Sequence, residues 1–288
     1  MALGVMLIVA TTVAKGLISM TEAQGTIWNR TEMHSSVRSA TELLQQEVGQ
    51  AGLISLPGPV TLSTAVAAPG VQTVTVSSVA GMFVGEQLTF DAGANQETAA
   101  ITAINVANNQ ITASFRDTHV VNAPITVRGG FANGIVPTTV ANGSTGTVLK
   151  LFGDINGDGT MVYVEYSCNV GNGNLYRNVM PYNAGAKGAV TAAQVLLGNI
   201  LANPGGTPCF TYQQHVAFGV TFVTDVAITL TVQTQLTDPV TKQFQRETKA
   251  LLNVSPRNVV NIWEMASDGG GITSRVQLTP ASITALLP

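Results

Sequence analysis

Residues Met1 to Ala14 (MALGVMLIVATTVA) carry no charge, and Gly16 to Met20 (GLISM) extend the apolar run past Lys15. The pattern then becomes periodic. Between Thr26 and Ala51, the residues Met33, Val37, Ala40, Leu44, Val48 and Ala51 return every three or four positions and form one stripe. Arg30, Glu32, Arg38, Glu42 and Glu47 fall between them and are expected on wetter faces, with Glu42 and Glu47 solvated. Gly49 and Gly52 weaken the last turn, and Pro57-Gly58-Pro59 ends any continuation. The reading is a single helix over 1–53 that passes from lipid into a soluble head. About fourteen apolar residues cover roughly 21 Å, against a hydrocarbon core of about 30 Å. The segment is therefore a marginal span, with Leu3, Val5, Leu7, Ile8, Val9, Val13 and Leu17 as its apolar surface and Lys15 placed to snorkel. A signal peptide is the competing reading. Against it, no basic residue precedes the apolar run, and helical sequence follows it where a cleavage loop would stand.

Everything after the helix reads as β. Residues 60–128 hold short alternating runs, Val71–Val76, Gly85–Phe90, Thr98–Ile104, Gln110–Phe115 and Pro124–Val127, separated by Gly, Asn and Asp turns. They predict a small sandwich or barrel. Residues Gly129–Gly146 read as a surface linker. A second β region covers 147–288. Its strands are Met161–Tyr166, Asn174–Val179 after an Asn-Gly turn, Val226–Val232 with one apolar face, and Gln243–Val254 returning after an Asp238-Pro239 turn. Val190–Ile200 fits a short helix or a strand equally well, and Ser267–Gly271 reads as the start of a loose tail. The expected fold class is α+β: a long N-terminal helix on an antiparallel sheet, with an inserted all-β module.

Composition narrows the function classes. Among 288 residues only 10% are charged and the net charge is −3. No cluster of Lys and Arg is present, so no nucleic acid is expected as a partner. Mean hydropathy is +0.28 although aromatic residues make up only 6%, and Ala, Val, Thr, Gly and Asn supply a β-rich and turn-rich vocabulary.

Candidate chemistry is sparse. Asp154, Asn156, Asp158 and Glu165 fit the pattern D-x-[DN]-x-[DN]-G-x₅-E, whose oxygen donors suit calcium. The same residues also read as a polar turn leading into a strand, because the segment after Gly159 alternates. No other cofactor is implied. Cys168 and Cys209 lie outside any CxxC; in an exported protein they read as one disulfide closing a loop of roughly 40 residues, and otherwise as two buried thiols. The three histidines, His34, His119 and His215, are far apart and are expected to be structural or solvated. GxSxG, HExxH and P-loop motifs are all absent, so no enzyme is expected. Trp28, just beyond the apolar segment, suits a membrane interface, and Trp263 is expected against the closing strands.

Several segments, taken in order, resemble one family. ALGVMLIVATTVAKG is similar to the residues after the cleavage site of prepilins, and RSATELLQQEVGQAG to the end of their long helix. MVYVEYSCNVGNGNLYRNV resembles a head-domain strand pair, and TDVAITLTVQTQ and LLNVSPRNVVNIW the closing strands and the Pro-Arg-Asn end of such heads. The chain thus resembles type IV pilin-like minor pilins and pseudopilins, of the PilW and pseudopilin-J sort. The family's Gly-Phe-like junction and following Glu are missing, and the reading places them some eight residues upstream of Met1, which would lengthen the helix to roughly 33 Å. The resemblance implies a structural subunit stored in the bacterial inner membrane with a periplasmic head. It would be assembled with other pilins or pseudopilins by the pilus or type II secretion machinery, ending at the cell surface. The alternatives are a membrane-tethered adhesin whose 60–128 module binds a ligand, and a secreted enzyme dependent on His119 or His215.

Overall fold

In the computed structural model, which describes residues 2–267 and 275–288, the chain opens with helix α1 (Ala2–Gln50). At 1.5 Å per residue its 49 residues extend about 74 Å. Leu3 to Thr21 are exposed throughout. Farther on, Met33, Val37, Ala40, Leu44, Val48 and Ala51 are buried as one stripe. The helix stops at Gly52, which takes φ +83°. Its N–H donates to the Phe152 carbonyl at 2.9 Å, and its carbonyl accepts from the Phe131 N–H at 2.9 Å. The left-handed residue thereby hands the chain from helix to sheet.

The α1 stripe packs in one apolar core with two antiparallel sheets. The first has the strand order Val195–Gly198, Asn174–Pro181, Val162–Asn169, Val148–Gly153. The second is built on Val220–Gln233, which pairs Phe210–Ala217 and Ile200–Leu201, and also Arg246–Val254. In the first sheet Leu149, Leu151, Val164, Tyr166 and Leu175 join the helix core, while Phe152, Tyr163 and Met180 face a separate cluster. That second face is covered by helix α3 (Ala281–Leu286) through Ile283 and Leu286. Alternation at period two produces both faces. In Val220–Gln233, Val226, Ile228, Leu230 and Val232 are all buried in the helix core, in line with the apolar face read from sequence.

Residues 60–127 form a six-stranded antiparallel sheet with its own core. The order is Val60–Thr61, Pro124–Val127, Gln87–Phe90, Glu97–Asn105, Gln110–Phe115, Gly70–Thr75. The two ends of this order meet through the Leu62–Val76 bridge, with Ser77 N–H donating to Thr61 O, so the sheet closes on itself as a small barrel. It sits against the head through Gln277. The Gln277 amide accepts from Gln87 N–H and donates to Gln87 O, both at 2.8 Å, taking the place of a neighbouring strand. Phe83 of the barrel meets Phe131 of the head at 5.7 Å between ring centroids, and Tyr182 donates to Gly81 O.

Two sequence expectations are corrected and others are filled in. Residues 129–146 are not a surface linker: Phe131, Ala132, Ile135 and Val136 are buried, and Gly130–Phe131 pairs in parallel with Val276–Gln277. The segment after Ser255-Pro256, given no element from the sequence, is helix α2 (Arg257–Met265). Trp263 sits on that helix and packs against the closing strands as expected, in the cluster that holds Phe222 and stacked on His215, centroids 5.0 Å apart. Glu47 is not solvated, as described below. The ambiguous Val190–Ile200 segment is a short 3₁₀ turn, Ala192–Gln194, followed by the strand Val195–Gly198. The expected loose tail after Ser267 lies outside the described residues.

Candidate functional site

The feature with the clearest functional chemistry is the uncovered end of α1. Leu3, Val5, Leu7, Ile8, Val9, Val13 and Leu17 are all more than half exposed. This is the helix's most hydrophobic region, with a mean hydropathy of 1.9 over its best window, none of it buried. By length and composition the helix is sufficient to cross a membrane. Its threonine hydroxyls are already satisfied within the helix. Thr11 and Thr12 hydroxyls donate to Ile8 O at 2.9 and 2.8 Å, and Thr21 donates to Leu17 O at 2.9 Å. In hydrocarbon these donors need no water. Lys15 is the one charge between Ala2 and Met20.

At its other end the helix is locked into the head by a buried ion pair. The Glu47 carboxylate is nearly inaccessible and accepts from Arg177 Nε at 3.0 and 3.2 Å and from the Tyr166 hydroxyl. Tyr166 and Arg177 lie opposite each other on adjacent strands, so strand register presents both to the same helix position. Burial, reinforced by the Glu47 charge, pushes the Tyr166 phenol up and keeps it a donor. Burial would depress the Arg177 guanidinium, but its Glu47 contacts raise it. Removing one partner of such a pair leaves an uncompensated buried charge, so this contact ties α1 to the first sheet.

The Asp154 loop is a polar turn. The Asp154 carboxylate accepts from Ser55 Oγ at 2.5 Å and from the Asp158 and Gly159 N–H groups at 3.1 and 3.0 Å. Asn156 and Asp158 are exposed. Glu165 is engaged elsewhere, accepting from Lys187 Nζ at 2.6 Å and the Tyr163 hydroxyl at 2.9 Å. The four calcium candidates are thus not gathered, because the strand carries Glu165 away from the turn. Among the described residues no three His, Cys, Asp or Glu side chains form a metal-binding group. The two cysteines are bonded to each other, with Cα atoms 6.4 Å apart.

Sequence reasoning missed a buried polar cluster and a lone buried acid in the barrel. His119 Nε2 lies 2.8 Å from Glu97 and its Nδ1 3.4 Å from Asp91, between the rings of Phe90 and Phe115. Burial works against ionising Glu97, but the Arg116 N–H and the His119 side chain outweigh it and hold the carboxyl below its usual range. Both imidazole nitrogens face carboxylates, and the cluster ties the Val66–His119 bridge into the barrel. Nothing in the spacing of Asp91, Glu97 and His119 signals this. The lone acid is Glu86, fully buried beside the barrel–head contact.

No protein-family model matches the chain, and comparison with curated proteins and with solved structures returns no match.

Proposed function

We propose that this protein is a structural subunit of the type IV pilin kind, held in a membrane by the N-terminal part of α1 and assembled into a filament by packing of that helix against its neighbours. The observation that carries the reading is the continuity of α1. One unbroken helix is uncovered and apolar at one end and forms the spine of a β head at the other. An apolar rod with internally satisfied threonine hydroxyls is stable in lipid and equally stable among parallel copies of itself, so extraction exchanges one apolar surround for another. The buried Glu47–Arg177 pair transmits the orientation of the rod to the head. No step of this function is catalytic, and other pilin-like subunits and their assembly machinery are the partners.

The test is fractionation of the source cells. The intact chain is expected in the membrane fraction and in filaments sheared from the surface. A Leu7→Asp, Val13→Asp double variant is expected in neither, with a head that melts as the unmodified one does. Membrane retention with no trace in the sheared fraction would refute the filament role and leave a tethered binding protein.

A further inference from the structure

The connection between the strands Val220–Gln233 and Arg246–Val254 reaches back along α1 toward its apolar end. Pro239 packs so closely on the helix that a Cβ at Gly25 would lie 2.9 Å from Pro239 Cγ. The Thr237 carbonyl accepts from Asn29 Nδ2 at 3.4 Å, Gln245 bonds Arg30, and Lys242 Nζ lies 3.8 Å from Glu22. The turn itself is rigid. The Asp238 side chain accepts from the Val240 and Thr241 N–H groups, both at 2.8 Å, and Lys242 N–H donates to Asp238 O at 2.8 Å. Yet the turn displays apolar side chains: Leu236 is 64% exposed, Val240 61% and Phe244 46%. Ile27 and Trp28 on the neighbouring helix surface are exposed too.

The level of this patch identifies its occupant. The apolar part of α1 ends at Met20. Gly25 is five residues farther, about 7 to 8 Å along the axis. The interfacial layer on each side of a bilayer core is about 5 to 8 Å deep. A helix whose apolar part fills the core therefore sets Gly25, and the turn packed on it, within the headgroup layer, with Lys242 beside Glu22 about 3 Å from the acyl edge. Exposed Val, Leu, Phe and Trp side chains are at home there. Lys242, beside Glu22, supplies a cation for lipid phosphates at this level, and Lys15, within the apolar part, reaches toward them only by snorkelling.

We infer that the 234–245 turn is a second membrane contact, a foot that rests in the interfacial lipid and fixes the rotation of the head about α1. This rests on the membrane-spanning part of the function proposed above. With two contacts the head cannot spin freely on its rod, so each stored subunit presents the same side to its neighbours.

The experiment uses the full chain, with Cys168–Cys209 oxidised, in phosphatidylglycerol–phosphatidylethanolamine vesicles. A fluorophore is attached in turn at Val240→Cys, Leu7→Cys and Val106→Cys, and quenching by nitroxide lipids is measured. The expected result is quenching at Leu7 by deep nitroxides, quenching at Val240 severalfold stronger by headgroup-proximal than by deep nitroxides, and none at Val106. Adding Leu236→Asp and Phe244→Asp is expected to abolish the Val240 signal and leave that at Leu7. Quenching at Leu7 with Val240 behaving like Val106 would overturn the foot alone. Lack of quenching at Leu7 would overturn the spanning helix and the foot with it. Protection of Val240 that scales with protein density and is insensitive to lipid nitroxides would assign the turn to a neighbouring subunit and overturn the proposal.

Discussion

Glu86 has one carboxylate oxygen accepting from the Phe83 N–H at 3.1 Å and the other buried without a partner. Burial raises its pKa from 4.5 to about 8, only partly offset by that hydrogen bond. The sign follows from linkage. Below pH 4.5 the group is neutral in both folded and unfolded chains and has no effect. Between 4.5 and about 8 the unfolded chain loses the proton and the folded chain keeps it, so stability falls as pH rises. Glu86→Gln removes this slope. Its melting temperature should match the unmodified protein near pH 4.5 and exceed it increasingly toward pH 8, by roughly 4 kcal/mol of stability at the top of the window; parallel pH profiles would refute the neutral carboxyl. Glu86 and Glu47 share one lesson. Both are acids in the sequence, and periodicity places Glu47 beside the apolar stripe without saying that Arg177 and Tyr166 wait there.

The junction after α1 depends on backbone, not side chains. At Gly52 a Cβ would lie 2.8 Å from the Phe131 carbonyl and 3.0 Å from Val259, at a φ that L residues rarely take. Gly134 and Gly153 crowd the same point, with Gly134's Cβ position 2.3 Å from Gly52 Cα. Gly52→Ala should therefore destabilise the head by about 2 to 4 kcal/mol, read as a lowered denaturation midpoint, whereas Gly49→Ala, whose Cβ meets open space, should be neutral or slightly stabilising. Equal effects at the two positions would show that the handover is not constrained. The helix, its stripe and most of the strands were legible because each is a local periodicity. The residues 129–146 and the helix Arg257–Met265 were not: Gly, Asn and Thr mark loops on average, yet here they let backbones approach closely enough to bury Phe131 and Ile135.

At the level of the whole molecule the Cys168–Cys209 bond joins the first sheet to the second across a separation of 41 residues. Reduction, or the double Cys→Ser change, should lower stability by about 4 kcal/mol on the chain-entropy estimate. The loss should appear in the head's unfolding transition, and an unchanged transition would mean the sheets dock without it. Sequence alone determined the order of parts: an apolar rod, an amphipathic continuation and two β regions. Apolar periodicity and turn residues act over a few neighbours and can be read without a fold. Only the tertiary structure decided that the barrel closes through Leu62 and Val76, that Gln277 serves it as a surrogate strand, and that the 234–245 turn lies beside Gly25. Those contacts join residues tens to hundreds of positions apart, and they exist because shapes and hydrogen-bonding edges meet in space, which no local pattern encodes.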